Sequence, residues 1–278
     1  AADYVTRHPH LELVELNSFG CGLDAVVTDQ VQEIMHQRSR LYTCLKIDQS
    51  LNLGAVRIRL RSLKAAIEER GEETGSAKPI EYPKAVFTEA MKRDKDYTIL
   101  APEMSPIHFP IIEAAVQREG YHIEIIPPIH EDIDKGLSCV NNDACYPAII
   151  TIGSLMRALT SGKYDLSKTA VMLSQTGGMC RASNYVGFLH KALDEAGLSD
   201  IPVISLNTHG FEPQPGFHFS LSMGRRMIQA VIYGDALQQC LYRTRPYEKE
   251  PGTVETLFRS RQKRCIEAIL SGESYTSY

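Results

Sequence analysis

The 278-residue chain has no run of eighteen apolar residues, which excludes an ordinary membrane-spanning helix. It has no basic excess: its net charge is −4, so no bulk positive field is available to hold nucleic acid. Its cysteines number seven, too few for a disulfide scaffold and odd in count. They do not form a short C-x₂₋₄-C zinc knuckle, since the closest pair is Cys139 and Cys145. Gly177-Gly178 is neither G-x-G-x-x-G nor followed by a phosphate-loop lysine. No Ser–His–Asp or H-E-x-x-H pattern stands out. The opening AADYVTRHPH is not a signal peptide, and it does not begin with Met, which is the expectation for a processed or excised segment. With 43% apolar and 23% charged residues, wholesale disorder is excluded. A reducing, cytoplasmic compartment is the expectation, where clustered cysteines serve as ligands or catalysts.

The pattern that is present alternates strand and helix. Residues 11–19 (LELVELNSF) read as a strand, broken by Gly20-Cys21-Gly22. Val27, Val31, Ile34 and Met35 then recur at helical spacing. A strand at 41–47 and a helix at 58–67 follow. Residues 68–83 lose all periodicity and mark a boundary. Beyond it the spacing predicts strands at 97–101, 121–126, 169–174 and 202–206. Helices are predicted at 109–118, 147–159, 184–196, 223–243 and 254–270. Such alternation implies βαβ units. The expectation is an α/β fold of two Rossmann-like lobes, with parallel sheets flanked by helices. The first lobe would span 1–72, a linker 73–94, and a second lobe with C-terminal helices 95–278.

On this plan the cysteines divide. Cys44 falls within a strand, and Cys240 and Cys265 fall on the apolar faces of the last two helices, as small core residues. Cys21, Cys145 and Cys180 each follow a strand or loop and precede a helix. In an open α/β sheet such loops gather at the carboxyl ends of the strands, where ligands bind. Helix N-termini favour thiolates and anionic clusters. Cys139, on what reads as an irregular loop, is either a fourth ligand or a bystander. All-cysteine sets suit zinc or iron–sulfur, and single cysteines converging from separate loops suit a cluster better. His209 follows a strand and reads as an ordinary loop histidine. Arg245 and Tyr247 in RPYE read as a packed helix end.

The segments SFGCGLDAVVTDQV, LGAVRIRLRSL, NNDACYPAIITIG, SQTGGMCRASNY and the ending RPYE resemble the activase-related proteins of the 2-hydroxyacyl-CoA dehydratase system. The match is to the cysteine-bearing, dehydratase-like C-terminal region of the large CoA-substrate-specific enzyme activases. It runs from about Leu11 to Arg245, and no ATPase portion is recognisable. The resemblance implies an iron–sulfur cluster of 4Fe–4S or double-cubane type. It assigns Cys21, Cys145 and Cys180 as ligands, and Cys139 less securely. It implies a partner, an ATP-hydrolysing activase of the actin and heat-shock-chaperone class that carries its own cluster. An upstream half of the same polypeptide and an oligomeric state are also implied. Asn142, Gln175, Arg181 and the N–H groups around Gly177 and Gly178 are expected hydrogen-bond donors to such a cluster.

The reading is therefore an oxygen-sensitive iron–sulfur protein of ATP-driven, low-potential electron transfer or reductive radical chemistry. Whether it is a reductase- or dehydratase-type catalyst or an electron relay stays open. The rival reading is a non-catalytic scaffold or assembly subunit holding zinc or no metal.

Overall fold

The computed structural model describes residues 1–17, 24–47, 53–70, 84–140, 144–175, 180–207 and 214–273. The elements are α1 (Ala2–Thr6), β1 (Leu13–Asn17), α2 (Asp24–Gln37), β2 (Tyr42–Lys46) and α3 (Leu53–Glu69). After these come α4 (Glu89–Arg93), β3 (Thr98–Pro102), α5 (Phe109–Gln117), β4 (Ile123–Ile126), α6 (Glu131–Cys139) and α7 (Tyr146–Thr160). The chain continues through β5 (Thr169–Gln175), α8 (Tyr185–Glu195), β6 (Val203–Asn207), α9 (Leu221–Thr244) and α10 (Thr253–Ser271). The fold is α/β, with two parallel sheets flanked by helices. β1 pairs with β2, and a four-stranded sheet runs β4-β3-β5-β6.

The period-2 alternation of the larger sheet sorts its two faces. Leu100, Val171, Leu173 and Val203 point to one side and pack under α7 and α8. Ile99, Ala101, Ala170, Met172 and Ile204 point to the other, where Phe87, Phe217 and Met223 cover them. α5, α9 and α10 form a third layer around Ile111, Ala114, Ala230, Ala268 and Ile269. Both faces are apolar because both are buried, as parallel sheets require.

Strand order places a topological switch between β3 and β5. From β3 the chain crosses outward to β4, then returns past β3 to β5. Ligands in open α/β sheets bind outside the carboxyl ends of the strands at such a switch. The loops after β3 and β5 therefore border the crevice. Ser174 Oγ lies 3.9 Å from Met104 Sδ, joining those two strand ends.

α6 is an addition to the sequence reading, which treated this stretch as irregular. Its first turn carries Glu131, Asp132 and Asp134, and its buried residues are Asp132 and Gly136, so its apolar stripe is short: Ile133 and Leu137, with Val140 at the C-cap. The acidic residues suit the positive end of the helix dipole. Cys139 accordingly ends a helix rather than lying on a loop. α6 crosses α7 closely. A Cβ at Gly136 would lie 2.0 Å from the Ile149 carbonyl oxygen, and one at Gly153 would lie 1.9 Å from that of Asp132. Only glycine fits either position.

The smaller sheet is pinned by polar groups. Buried Arg40 reaches the Leu11 and His8 carbonyls, and both Arg40 and Arg70 reach Glu12. Asn17 Nδ2 donates to Thr28 Oγ1 at 2.9 Å, which donates in turn to Glu15. Leu16 stays exposed, and α3 buries no residue. Among the described residues no helix is long and apolar enough to cross a membrane.

Three further expectations resolve. Cys44 is buried, as read. Cys240 is exposed rather than in the core, because α9 turns its other side to α5. Tyr247 is exposed rather than packed, because the single 3₁₀ turn Arg245–Tyr247 projects beyond the α9–α10 pair.

Candidate metal centre

Cys145 is the N-cap of α7, with extended backbone and no side-chain capping bond. Pro147 sits in the first turn, where its missing N–H costs nothing. Cys180 is the N-cap of the 3₁₀ turn Arg181–Asn184, which runs straight into α8. It too makes no side-chain capping bond, and it is exposed. Both thiols thus stand at the N-terminal ends of helices on the same face of the sheet. One side chain joins the two helix starts: Tyr185, the first residue of α8, has its hydroxyl 3.7 Å from Cys145 Sγ. Cys139 and Cys145 both pack against the α7–α8 core and are partly buried. Cys139 Sγ lies 3.7 Å from Ser138 Oγ.

The geometry that sets Cys139 and Cys145 belongs to the α6–α7 crossing. Asp132 is fully buried, and the Arg157 guanidinium reaches it through Nε and, at 3.3 Å, through Nη2. Arg157 also donates to the Pro127 carbonyl at 3.1 Å, and the Ile129 N–H donates to Asp132 at 2.8 Å. A buried carboxylate with these partners fixes α6 in register on α7.

Cys139, Cys145 and Cys180 are free thiols. Cys21 lies outside the described residues, as do Asn142, Gly177, Gly178 and His209. Gln175 ends β5 beside Asn207 of β6, on the rim. Arg181 opens the 3₁₀ turn. Among the described residues no group of three Cys, His, Asp or Glu side chains is placed to hold a metal ion. The donor chemistry on the rim fits a thiolate-held group: thiols without disulfide partners, helix N-termini and a phenol hydroxyl near one sulfur.

A second constellation escaped the sequence reading. His108 lies between Ser105 and Asp235. Its Nδ1 is 2.9 Å from Ser105 Oγ, and its Nε2 is 3.0 Å from Asp235 Oδ1. Ser105 and His108 belong to the loop after β3, at the switch, whereas Asp235 comes from the middle of α9. The i, i+3 spacing of Ser105 and His108 before a helix was the one local signal. Asp235 is 127 residues away from His108 and only folding brings it there. Nearby, burial raises the Glu103 carboxyl above its usual range, with the Arg259 charge opposing. Ser105 Oγ also accepts from the His108 N–H at 3.4 Å, so it is engaged in shaping the start of α5.

Comparison of the chain with protein-family models, curated proteins and solved structures gave no match.

Proposed function

We propose that this chain is an iron–sulfur protein of the 2-hydroxyacyl-CoA dehydratase/activase type, acting in ATP-driven, low-potential reductive chemistry. The observation that carries the reading is the matched placement of Cys145 and Cys180. Each is an uncapped N-cap thiol at a helix start, on one face of a parallel sheet, and the Tyr185 hydroxyl lies between the two helix starts. Cys145, Cys180 and Cys21 would hold the group, with Cys139 as the candidate fourth thiol. When bound, such a cluster supplies a one-electron couple whose potential is set by charge, burial and hydrogen bonds to sulfur. The protein's own contribution is orientation and electrostatics. Cys145 caps α7 and Cys180 caps the 3₁₀ turn that leads into α8, so the N–H groups of both starts are available to an anionic group that the two residues would hold. The Tyr185 hydroxyl is positioned to donate to the Cys145 sulfur. The Asp132–Arg157 pair holds the α6–α7 unit that presents Cys139 and Cys145 together.

An ATP-hydrolysing activase with its own cluster would supply the electron, and the pure chain should hydrolyse no ATP. The test is anaerobic purification with a visible spectrum and iron and sulfide analysis. A brown protein with matched iron and sulfide supports the reading. A colourless protein from fully anaerobic work, metal-free or zinc-loaded, overturns it in favour of the scaffold.

A further inference from the structure

α9 is apolar on two sides. Its inner side, through Met223, Ala230, Tyr233 and Leu241, is buried. A surface helix ordinarily turns its opposite side to water as a polar face. Here Leu221, Ile228 and Ile232 recur at i, i+7 and i+11 on the outer side and are 92%, 64% and 55% exposed. They do not form a flat patch. Ile232 is shared by two adjoining depressions. One, of about 570 Å³, lies between α9 and α10 and includes Leu257, itself 56% exposed. The other, of about 420 Å³, continues along α9 past Ile228 to Leu221. Together they follow α9 from Leu221 to Thr244, roughly 35 Å at 1.5 Å per residue.

The charges lining this groove have one sign. Among the described residues they are Arg225 in the shorter depression and Arg261 and Arg264 in the longer one, with no acidic residue among the described lining side chains. The chain as a whole carries −4, so a basic rim here is a local departure. Three occupants would satisfy apolar contact, and the arginines discriminate. A second copy docked by the same face would bring like-charged rims together. A planar bilayer could meet Leu221 and Ile228 but would not fill the recess of about 570 Å³ between α9 and α10. An elongated apolar groove with a cationic rim matches the helix-in-groove mode, read by anchors at i, i+4, i+7 and i+11.

We propose that the α9–α10 groove docks an amphipathic helix of another protein, with an apolar stripe and acidic flanks. The helix lies along α9, its stripe against Ile228, Ile232 and Leu257, its carboxylates on Arg225 and Arg261. The groove is on the α5 side of the sheet, away from the α7 and α8 termini that carry Cys145 and Cys180. Docking there leaves the thiol rim open, and the inference does not depend on what those thiols hold.

The probe is a fluorescein-labelled synthetic helix of about 22 residues, long enough to span the groove. It has Leu at the stripe positions and Glu beside them. Fluorescence anisotropy on the full chain compares it with a shuffled peptide of the same composition and with a version carrying Lys for Glu. The Glu-flanked helix should bind at least roughly tenfold tighter than either control. Ile232→Glu should remove that margin while circular dichroism stays unchanged. Reversing Arg225 and Arg261 to Glu should transfer the preference to the Lys-flanked peptide. Equal binding of all three peptides overturns the proposal. So does binding of phosphatidylglycerol vesicles that Ile232→Glu abolishes, since the face would then be a lipid surface. Sedimentation showing a dimer that Ile232→Glu dissociates overturns it too, in favour of a second copy.

Discussion

Asp132 and Arg157 join α6 to α7 through a carboxylate that has no exposed surface and a guanidinium that is about one-third exposed. Twenty-five residues separate them in the chain, and between them lie both cysteines of the α6–α7 unit. Breaking a buried pair by removing one partner costs about 3–5 kcal/mol, because a buried charge is left uncompensated. Arg157→Leu should therefore lower the urea midpoint strongly, and Asp132→Asn less so, since the amide keeps shape and partial hydrogen bonding. The double change to Asp132→Leu with Arg157→Leu should recover much of the loss. Equal destabilisation by Arg157→Leu and by the double variant would mean that the pair matters through shape alone.

Gly153→Ala is the sharper probe of the α6–α7 crossing. Alanine is about 1 kcal/mol better than glycine in a helix interior. Here its Cβ would fall 1.9 Å from the Asp132 carbonyl oxygen. Backbone must move, at a cost of about 1–3 kcal/mol or more, so the net effect should be destabilising. The helices should also separate and shift Cys139 relative to Cys145, lowering the iron retained after anaerobic reconstitution. A stabilised Gly153→Ala would show that α6 yields freely.

Replacing Cys21, Cys145 or Cys180 by Ser should each cut iron content sharply. Cys44→Ser and Cys265→Ser should leave it near wild type. Cys44 is buried in β2, and Cys265 packs against the α5–α9–α10 core, where burial raises its thiol above the usual range. Cys139→Ser separates three-thiolate from four-thiolate ligation: retained iron marks Cys139 as a bystander. If all six variants lose iron alike, or none does, the N-cap placement has no ligating role.

Glu113 of α5 gives a pH signature. Burial, helped by the nearby charge of Glu124, pushes its carboxyl up to about 7 from 4.5. The folded protein therefore holds a proton that the unfolded chain releases between those values. Stability must fall as pH rises from about 4.5 to about 7, and stay at the lower level above it. Glu113→Gln removes this slope and retains the hydrogen-bonding shape. Thermal melts should show the variant equal to wild type at pH 4 and more stable at pH 8. No gain at pH 8 would place the Glu113 carboxyl in the ordinary carboxylate range.

The sequence by itself determined the α/β class and most of the helices and strands, because the second sheet's strands are continuous apolar runs and the helices between them carry period-3.6 stripes. It also placed Cys145 and Cys180 before helices, since Pro147 and the polar stretch 181–184 punctuate the chain there. Its weakest points were those where local pattern is silent. α6 is short and rich in acid, and its stripe is only Ile133 and Leu137 with Val140, so Cys139 read as a loop residue. Cys240 of α9 read as core and is exposed, because apolar spacing says that a face is apolar and not what covers it. Strand order, and with it the switch between β3 and β5, comes from pairing between distant segments. The same holds for the approach of Tyr185 to Cys145, of Asp235 to His108 and of Arg157 to Asp132. Each depends on contacts between residues 25 to 127 positions apart, and only packing of the whole sheet and its helices brings such groups within hydrogen-bonding reach.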